Sequence, residues 1–554
     1  MKNFRMARFL NTEYEKAKII FLTDNIDDMY KAWRVPDEVY IQTPTGSGKT
    51  TFILETLSAF AISEGREILL LVNRKILKNQ IKHELAEQHG MEGLRDEEIE
   101  KIKDFAGITV MSYQEVQEQL KSNRFLFTLF GERRFFYIVF DEAHYLLQDA
   151  QFNRDIAYML AAIPQITHAV KIFMSATMED VQPFLQKILD KEKKMLTEIF
   201  RSEHCKIMIF RKGHFTEGRV YDFRQKHEFP VDKICYFKEL KTFAEKINGD
   251  KTEDKWLIFI NSKKEAKELQ KHLASEIEVG YIDADTDDES ETKQNIVKNS
   301  RFEEKVLITT KVLDNGINLK DKKLRNIVLM TTERTEFIQM LGRKRFLEGE
   351  TGINLYLMSR TSRYFQFIRD IKLASLEQFI GKIDCDDRFH QALFDDKDFY
   401  DFCQKTVVIS NNRMLISPAA REKIRLDKAF CNEMMEKLRL NADAFVLEQL
   451  AWIGRESSFS PQHYLESENK EKADGELVLF LQENAGKKLN KDEQHEFRTK
   501  FKELTKRCGK KLTDREGRTA GKSIINKFFE NEGMPFVIES VNNSKFWILE
   551  EERV

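Results

Sequence analysis

The sequence predicts two α/β domains in tandem, each on a parallel sheet, then a mainly helical region and a basic α+β end. Three observations predict this. Short apolar runs alternate with helical stretches from about residue 39 to residue 359. The runs lack polar alternation, as strands buried on both faces require. Beyond Arg360 strand signals thin out and helical stretches take over.

The first set of runs is Val39–Gln42, Ile68–Val72, Ile108–Met111, Phe135–Phe140 and Val170–Met174. After a charged, irregular stretch come Trp256–Ile260, Gly280–Ile282, Val306–Thr309, Ile327–Met330 and Ile353–Met358. Helices are expected between them, such as Thr51–Ser63 and Lys263–Ser275, which is the rhythm of βαβ units. The expected organisation is an N-terminal segment 1–34, a first domain 35–200, a second domain 201–360, a helical accessory region 361–474 and a basic end 475–554. The two α/β domains should join somewhere in residues 185–250. In the accessory region Arg421–Arg439 and Ala442–Ile453 read as helices. In the last part a helix at Ala520–Asn531 precedes two strand-like runs, Phe536–Val541 and Lys545–Leu549, around Asn542-Asn543. Helix plus hairpin is what a winged-helix-like module would show, although many α+β ends share it.

Lys+Arg 90 against Asp+Glu 92 leave a net charge of −2, so any nucleic-acid binding must come from local patches. Residues 487–527 are such a patch, with Lys or Arg at 14 positions and Asp or Glu at 6. They read as an accessory nucleic-acid surface or as a solvated helical face. Phe497, Phe501, Phe528 and Phe529 read as core there. The six cysteines are scattered without a Cys-x-x-Cys pair, which argues against zinc, iron–sulfur and disulfide frameworks. No apolar stretch approaches a signal peptide or a membrane span, so a cytoplasmic protein with no membrane contact is expected.

The chemistry concentrates at two places. Val39–Gln42 runs into Thr43-Pro44-Thr45-Gly46-Ser47-Gly48-Lys49-Thr50 and then a helix, which aims backbone N–H groups and a helix N-terminus at phosphate oxygens. Gly46 and Gly48 admit close approach, Lys49 reaches the outer phosphates, and the Thr50 hydroxyl suits Mg²⁺. The bland alternative is a glycine-rich turn before a helix, and Thr43 stands where the strict pattern has glycine. A similar spacing at Gly517–Ser523 lacks a preceding strand and reads as a basic helix start. The second place is Asp141-Glu142-Ala143-His144, delivered at the carboxyl end of Phe135–Phe140, where α/β sheets place ligand chemistry. Asp141 is expected to hold Mg²⁺ and Glu142 to take a proton from the attacking water. His144 alone reads as a packing or capping histidine.

With both motifs in hand, TPTGSGKT and DEAH resemble motifs I and II of the superfamily 2 helicases, in the DEAH-box spelling. Later segments resemble the family's further motifs in order. Leu71–Arg74 and Met111–Gln114 resemble strand-contacting motifs, Ser175-Ala176-Thr177 motif III, and Ile258–Ser262 motif IV. Thr309-Thr310 through Asp314–Asn318 resemble motif V, and Gln339–Arg345 motif VI. The resemblance implies two RecA-like domains with ATP and Mg²⁺ in the cleft between them. It implies nucleotide contacts from Thr43, Thr45, Gly46, Ser47, Gly48, Lys49, Thr50, Thr51, Gly316 and Gln339, metal ligation by Thr50 and Asp141, and coupling through His144, Ser175 and Thr177. It implies catalytic roles for Lys49, Asp141, Glu142 and arginines of the second domain. Arg343 is the first of these. The family's second arginine would stand at 346, where this chain has Phe346; Arg345 is one residue early, rotated by roughly 100° on an ideal helix. Three solutions stay open, an adjusted helix, Arg345 acting from a shifted register, or Arg343 alone, and a catalytic role for Arg345 beside Arg343 is expected.

The implied partner is nucleic acid, DNA over RNA. No Phe…Gln adenine reader precedes Thr43, unlike the DEAD-box group. Phe140–Asn153 is also similar to helicase-like proteins of bacterial phages and integrating elements, which implies partners from a replication, transfer or defence system. The expected function is an ATP-dependent helicase or translocase; the alternative is a nucleic-acid-sensing ATPase switch that does not unwind.

Overall fold

The computed structural model describes residues 22–73, 75–91, 93–122, 134–190, 218–225, 229–283, 285–287, 290–310, 318–347, 350–388, 396–410, 413–510, 521–532, 534–541 and 545–551. Two six-stranded sheets dominate it, and every recorded pairing within them is parallel. The first contains β1 (Glu38–Gln42), β2 (Glu67–Val72), β3 (Ile108–Ser112), β4 (Phe135–Phe140), β5 (Val170–Ser175) and β6 (Val220–Arg224), in the order β3-β2-β4-β5-β1-β6. β5 therefore lies between β1 and β4, and the loops leaving these three strands open side by side at one end of the sheet. All positions of β1 and β5 are buried. That fits strands covered by helices on both faces, and it explains why they read as unbroken apolar runs.

The second sheet contains β7 (Val231–Phe237), β8 (Lys255–Phe259), β9 (Val279–Ile282), β10 (Val306–Thr309), β11 (Leu324–Leu329) and β12 (Ile353–Met358), in the order β7-β12-β11-β8-β10-β9. This is the expected pair of parallel-sheet domains. Two strands lie outside the ten expected. β6 falls after residue 200 yet pairs with β1 in register from Glu38↔Val220 to Gln42↔Arg224, so the first domain extends past the expected boundary. β7 was hidden in the charged stretch because its first three positions are partly or fully exposed and only Ile234–Phe237 are buried.

The accessory region is mainly helical, as expected, with one correction. A short antiparallel hairpin, β13 (Val407–Ser410) with β14 (Arg413–Ile416), interrupts it. The helix expected at Arg421–Arg439 runs Pro418–Leu440, and the next runs Ala444–Ala451. The longer helix straddles the two sheet domains. Ala419 and Ala420 are buried in the core of the first, whereas Cys431, Met434 and Met435 are buried in the core of the second.

The chain's last part forms a core of its own. Helix Leu465–Asn484 crosses the expected 474/475 boundary, and helices Lys491–Arg507 and Lys522–Glu532 follow. They pack on an antiparallel sheet of β15 (Lys488–Leu489), β17 (Phe546–Glu551) and β16 (Phe536–Val541), so the expected hairpin is present. Phe497, Phe501, Phe528 and Phe529 are buried in this core. The start of the last helix at Lys522 fits the reading of the second glycine-rich stretch; Gly517 to Ala520 lie outside the described residues. Among the described residues, no helix is long and apolar enough to cross a membrane.

Candidate active site between two sheet domains

The loop after β1 is a cradle because of its backbone. Gly46 and Gly48 both take φ of +85°, in the left-handed region that favours glycine. The helix then begins at Lys49, with Gly48 as its cap. Thr43 and Ser47 are buried and joined hydroxyl to hydroxyl. Lys49 is buried, and its Nζ donates to the carbonyls of Thr43 at 3.2 Å and Pro44 at 3.3 Å, so the ammonium spans the mouth of the loop. Thr50 lines the same cleft one residue on, and Thr51 is exposed at its rim.

Asp141 and Glu142 leave the end of β4. The Asp141 amide donates to Leu71 O at 2.9 Å, and the Tyr113 hydroxyl donates to Asp141 O at 2.9 Å, so sheet and helix both fix this corner. Glu142 adopts φ of +50°, an uncommon conformation for a non-glycine residue. Burial pushes the Asp141 carboxyl up, as does the Glu142 carboxylate, against the Lys49 charge. Glu142 is also raised by burial, but the His144 hydrogen bond and the Lys49 charge outweigh it and hold Glu142 below the usual carboxylate range. The two carboxyls are thus pushed in opposite directions, Asp141 up and Glu142 down.

His144 is more than packing. Its Nδ1 lies 2.9 Å from Ser175 Oγ and 3.3 Å from Glu142 Oε2. Ser175 Oγ accepts from the Thr177 amide at 3.0 Å, and Ser175 O accepts from the Thr43 amide at 3.2 Å. The end of β5 thus touches both the phosphate loop and the acidic corner. His144, Ser175 and Thr177 lie together.

The second domain closes the cleft. Helix Arg334–Leu341 carries Gln339, whose Nε2 donates to Glu142 Oε2 at 3.3 Å. Gly342 follows, and Thr45 Oγ1 donates to its carbonyl at 3.4 Å. The chain then leaves the helix. Leu319 N donates to Arg343 O and Arg345 N donates to Leu319 O, both at 2.8 Å, which is a bridge centred on Lys344. In extended chain alternate side chains share a face. Arg343 and Arg345 both line the cleft, while Lys344 turns the other way to Asp321 O and Glu350. The helical-phase objection to Arg345 falls away because there is no helix at that point. Phe346 packs on the second domain's core. Arg343 is held by Gln339 O at 3.1 Å and Gln339 Oε1 at 2.9 Å, and Arg345 by Asn318 Oδ1 at 2.7 Å. Burial and the Arg343 charge lower Arg345 to about 10.

The resulting cleft has a volume of about 290 Å³ and is lined by Gly46, Lys49, Thr50, Asp141, Glu142, Arg343 and Arg345, among others. Three cations, a loop of amides, two carboxylates and a hydroxyl face one space. That donor set fits a polyphosphate with a divalent cation. The cradle is also tight, since a Cβ on Gly46 would lie 2.5 Å from Arg345 Nη1.

Comparison with known families agrees with the tandem fold. Residues 13–180 match the family described as type III restriction enzyme, res subunit, and residues 237–345 match the helicase conserved C-terminal domain. These two matches support the resemblance to superfamily 2 helicases. No curated protein sequence matches it. Among solved structures it is similar to S. cerevisiae Dbp5 bound to RNA and ADP BeF3, at 17% identity over 58% of this chain and 78% of that one, TM-score 0.40. It is similar to Mss116p bound to ssRNA and AMP-PNP at 16% identity over 63% of this chain and 71% of that one, TM-score 0.41. The Mycobacterium smegmatis helicase Lhr bound to ssDNA and AMP-PNP shares 12% identity over 71% of this chain and 58% of that one, TM-score 0.37.

Of the residues expected in the helicase cleft, Gly316 lies outside the described residues, as does Asp314–Ile317 of the motif V-like stretch. Thr43 and Ser47 support the loop from behind, and the remainder gather as described. Asn73, Leu77, Gln80 and Asn318 also line the cleft and were not assigned there from the sequence. The spacing of residues 73, 77 and 80 across the start of helix Lys75–Gln88 is the signal that could have found three of them.

Proposed function

We propose that this chain hydrolyses ATP in the cleft and couples the cycle to movement along, or remodelling of, nucleic acid, with DNA preferred over RNA. One observation carries the reading: Arg343 and Arg345 of the second domain share a cleft with Lys49, Asp141 and Glu142 of the first. A nucleotide bound there would be read by both domains at once, so hydrolysis would change how they fit together. In this reading Lys49 and the loop amides hold the phosphates, and Thr50 and Asp141 would hold a Mg²⁺ ion that offsets phosphate charge. Glu142 takes the proton from water, with His144 as its neighbour. Arg343 and Arg345 stabilise charge developing on the outer phosphate, a contribution worth roughly 10³–10⁵ in rate for such arginines. His144, Ser175 and Thr177 pass the change between the acidic corner and the phosphate loop.

The preference for DNA rests on the restriction-subunit family that matches the first domain. A forked DNA duplex with one labelled strand tests the reading. Strand release that requires ATP and is lost in Lys49→Ala supports a helicase. Hydrolysis stimulated by single strands without release supports a sensing switch. Hydrolysis indifferent to DNA and RNA alike removes the coupling.

A further inference from the structure

Helix Pro418–Leu440 does more than fill space between the domains. Near the end of it that packs on the first domain sits Lys423, buried to 5% exposure. Its Nζ pairs with Glu333 Oε1 at 2.8 Å and with Asp427. Glu333 stands at the N-terminal cap position of helix Arg334–Leu341 of the second domain, and Asp427 Oδ2 accepts from Gln151 Nε2 of the first at 3.0 Å. Beside them Arg334 pairs with Glu179 at 2.6 Å, and Glu179 accepts from Gln42 at 2.7 Å, the last residue before the phosphate loop. Charged groups from the accessory helix and both sheet domains therefore meet at one seam. Burial works against the Lys423 ammonium, but the Glu333 and Asp427 charges raise it above its ordinary value.

An apolar side chain of similar volume would fill this site with less desolvation, and buried ion pairs add little net stability. Such a pair does fix orientation, because each partner's position is set by the others. Glu333 precedes an eight-residue helix whose far end carries Gln339 to Glu142 and hands over to Gly342, Arg343 and Arg345. At about 1.5 Å per residue that helix is roughly 12 Å long. It is held at one end by Thr45 against Gly342 and at the other by Lys423.

We infer that Lys423 is a positioning residue for hydrolysis: through Glu333 it sets where helix Arg334–Leu341 meets the first domain, and so where Arg343 and Arg345 enter the cleft. This rests on the reading of the cleft as a nucleotide site. The accessory region thereby acts on the chemistry without touching it.

The test uses the full chain with Lys423→Met, Lys423→Arg and Glu333→Gln. Glu333 keeps 34% side-chain exposure, so its amide is tolerated even where an apolar residue at 423 prevents folding. Steady-state hydrolysis, binding of a fluorescent non-hydrolysable ATP analogue and thermal unfolding are measured. Lys423→Met and Glu333→Gln should lower kcat by roughly ten- to a hundredfold, with KM and analogue affinity shifted less than about threefold. Lys423→Arg should restore most of the loss. Combining Glu333→Gln with Arg343→Ala should cost little beyond Arg343→Ala alone, since both act through the same arginine approach. Unchanged kcat in folded Glu333→Gln overturns the inference, and so do fully multiplicative losses. A Lys49→Ala control that turns over normally sinks the nucleotide-site reading instead, so the two failures are distinguishable.

Discussion

Gly342→Ala puts the closed cleft to its most direct test. Gly342 has φ of −71° and ψ of −4°, a conformation alanine adopts freely. The substitution should therefore leave each domain folded, and removing a glycine from the unfolded chain favours the native state by about 0.4–1 kcal/mol. The obstacle lies across the cleft. A Cβ at this position would overlap Thr45 Oγ1 and stand 3.1 Å from Thr45 Cβ and 3.2 Å from Thr45 Cγ2. Rotating Thr45 can at best turn its Cβ hydrogen to this point, which leaves the 3.1 Å approach to Thr45 Cβ in place, and ordinary carbon contacts need about 3.5–4.0 Å. The domains must then part by on the order of 1 Å, a misplacement that costs about a hundredfold in rate, or about 2.7 kcal/mol of barrier. Phosphate release measured with and without single-stranded DNA, beside a thermal melt, reads both effects. Turnover within about threefold of the parent, at an unchanged melting temperature, would refute the argument that this closed contact is the reactive one.

Other substitutions separate the roles within the cleft. Lys49→Ala should abolish measurable binding of an ATP analogue by equilibrium titration, whereas Glu142→Gln should bind it normally and lose about 10²–10⁴ in single-turnover hydrolysis. Arg343→Ala and Arg345→Ala should each slow hydrolysis, by up to roughly 10³-fold or more for the arginine nearer the outer phosphate, and unaltered rates in both would remove the finger assignment. At the far end of the chain, Phe501→Ala should destabilise the terminal module by about 3–5 kcal/mol, seen as early proteolysis after residue 465. Phe501 is fully buried and has ring contacts to Phe497, Phe528 and Phe529 at 6.0, 5.4 and 5.6 Å. DNA-independent hydrolysis should persist in that variant, because the module has its own core.

What the sequence disclosed depended on local pattern. Among the described residues, ten of the twelve strands in the two large sheets announced themselves as short apolar runs, most of them buried on both faces. β6, read as VYDFR, borders only β1, and three of its five positions are exposed, so it carries no such run. The hairpin Val407–Ile416 has two four-residue strands, too short for periodicity to speak. The phosphate loop and the acidic corner were legible because their chemistry needs particular residues at fixed spacing. Which of the three geometries Arg345 takes was not legible, because the phase of an ideal helix does not apply where the helix ends at Gly342. Helix Pro418–Leu440 was legible as a helix; its place across both domains depends on partners such as Glu333 and Gln151, far off in sequence, which no local pattern encodes.

The rung between Leu319 and Lys344 makes the arginine pair a matter of odd and even. Adding one residue between Lys344 and Arg345 would turn that guanidinium toward Asp321 and away from the phosphate loop, and adding two would bring it back. In this chain the two arginines are therefore held two residues apart by a rung of extended backbone, not by the turn of a helix.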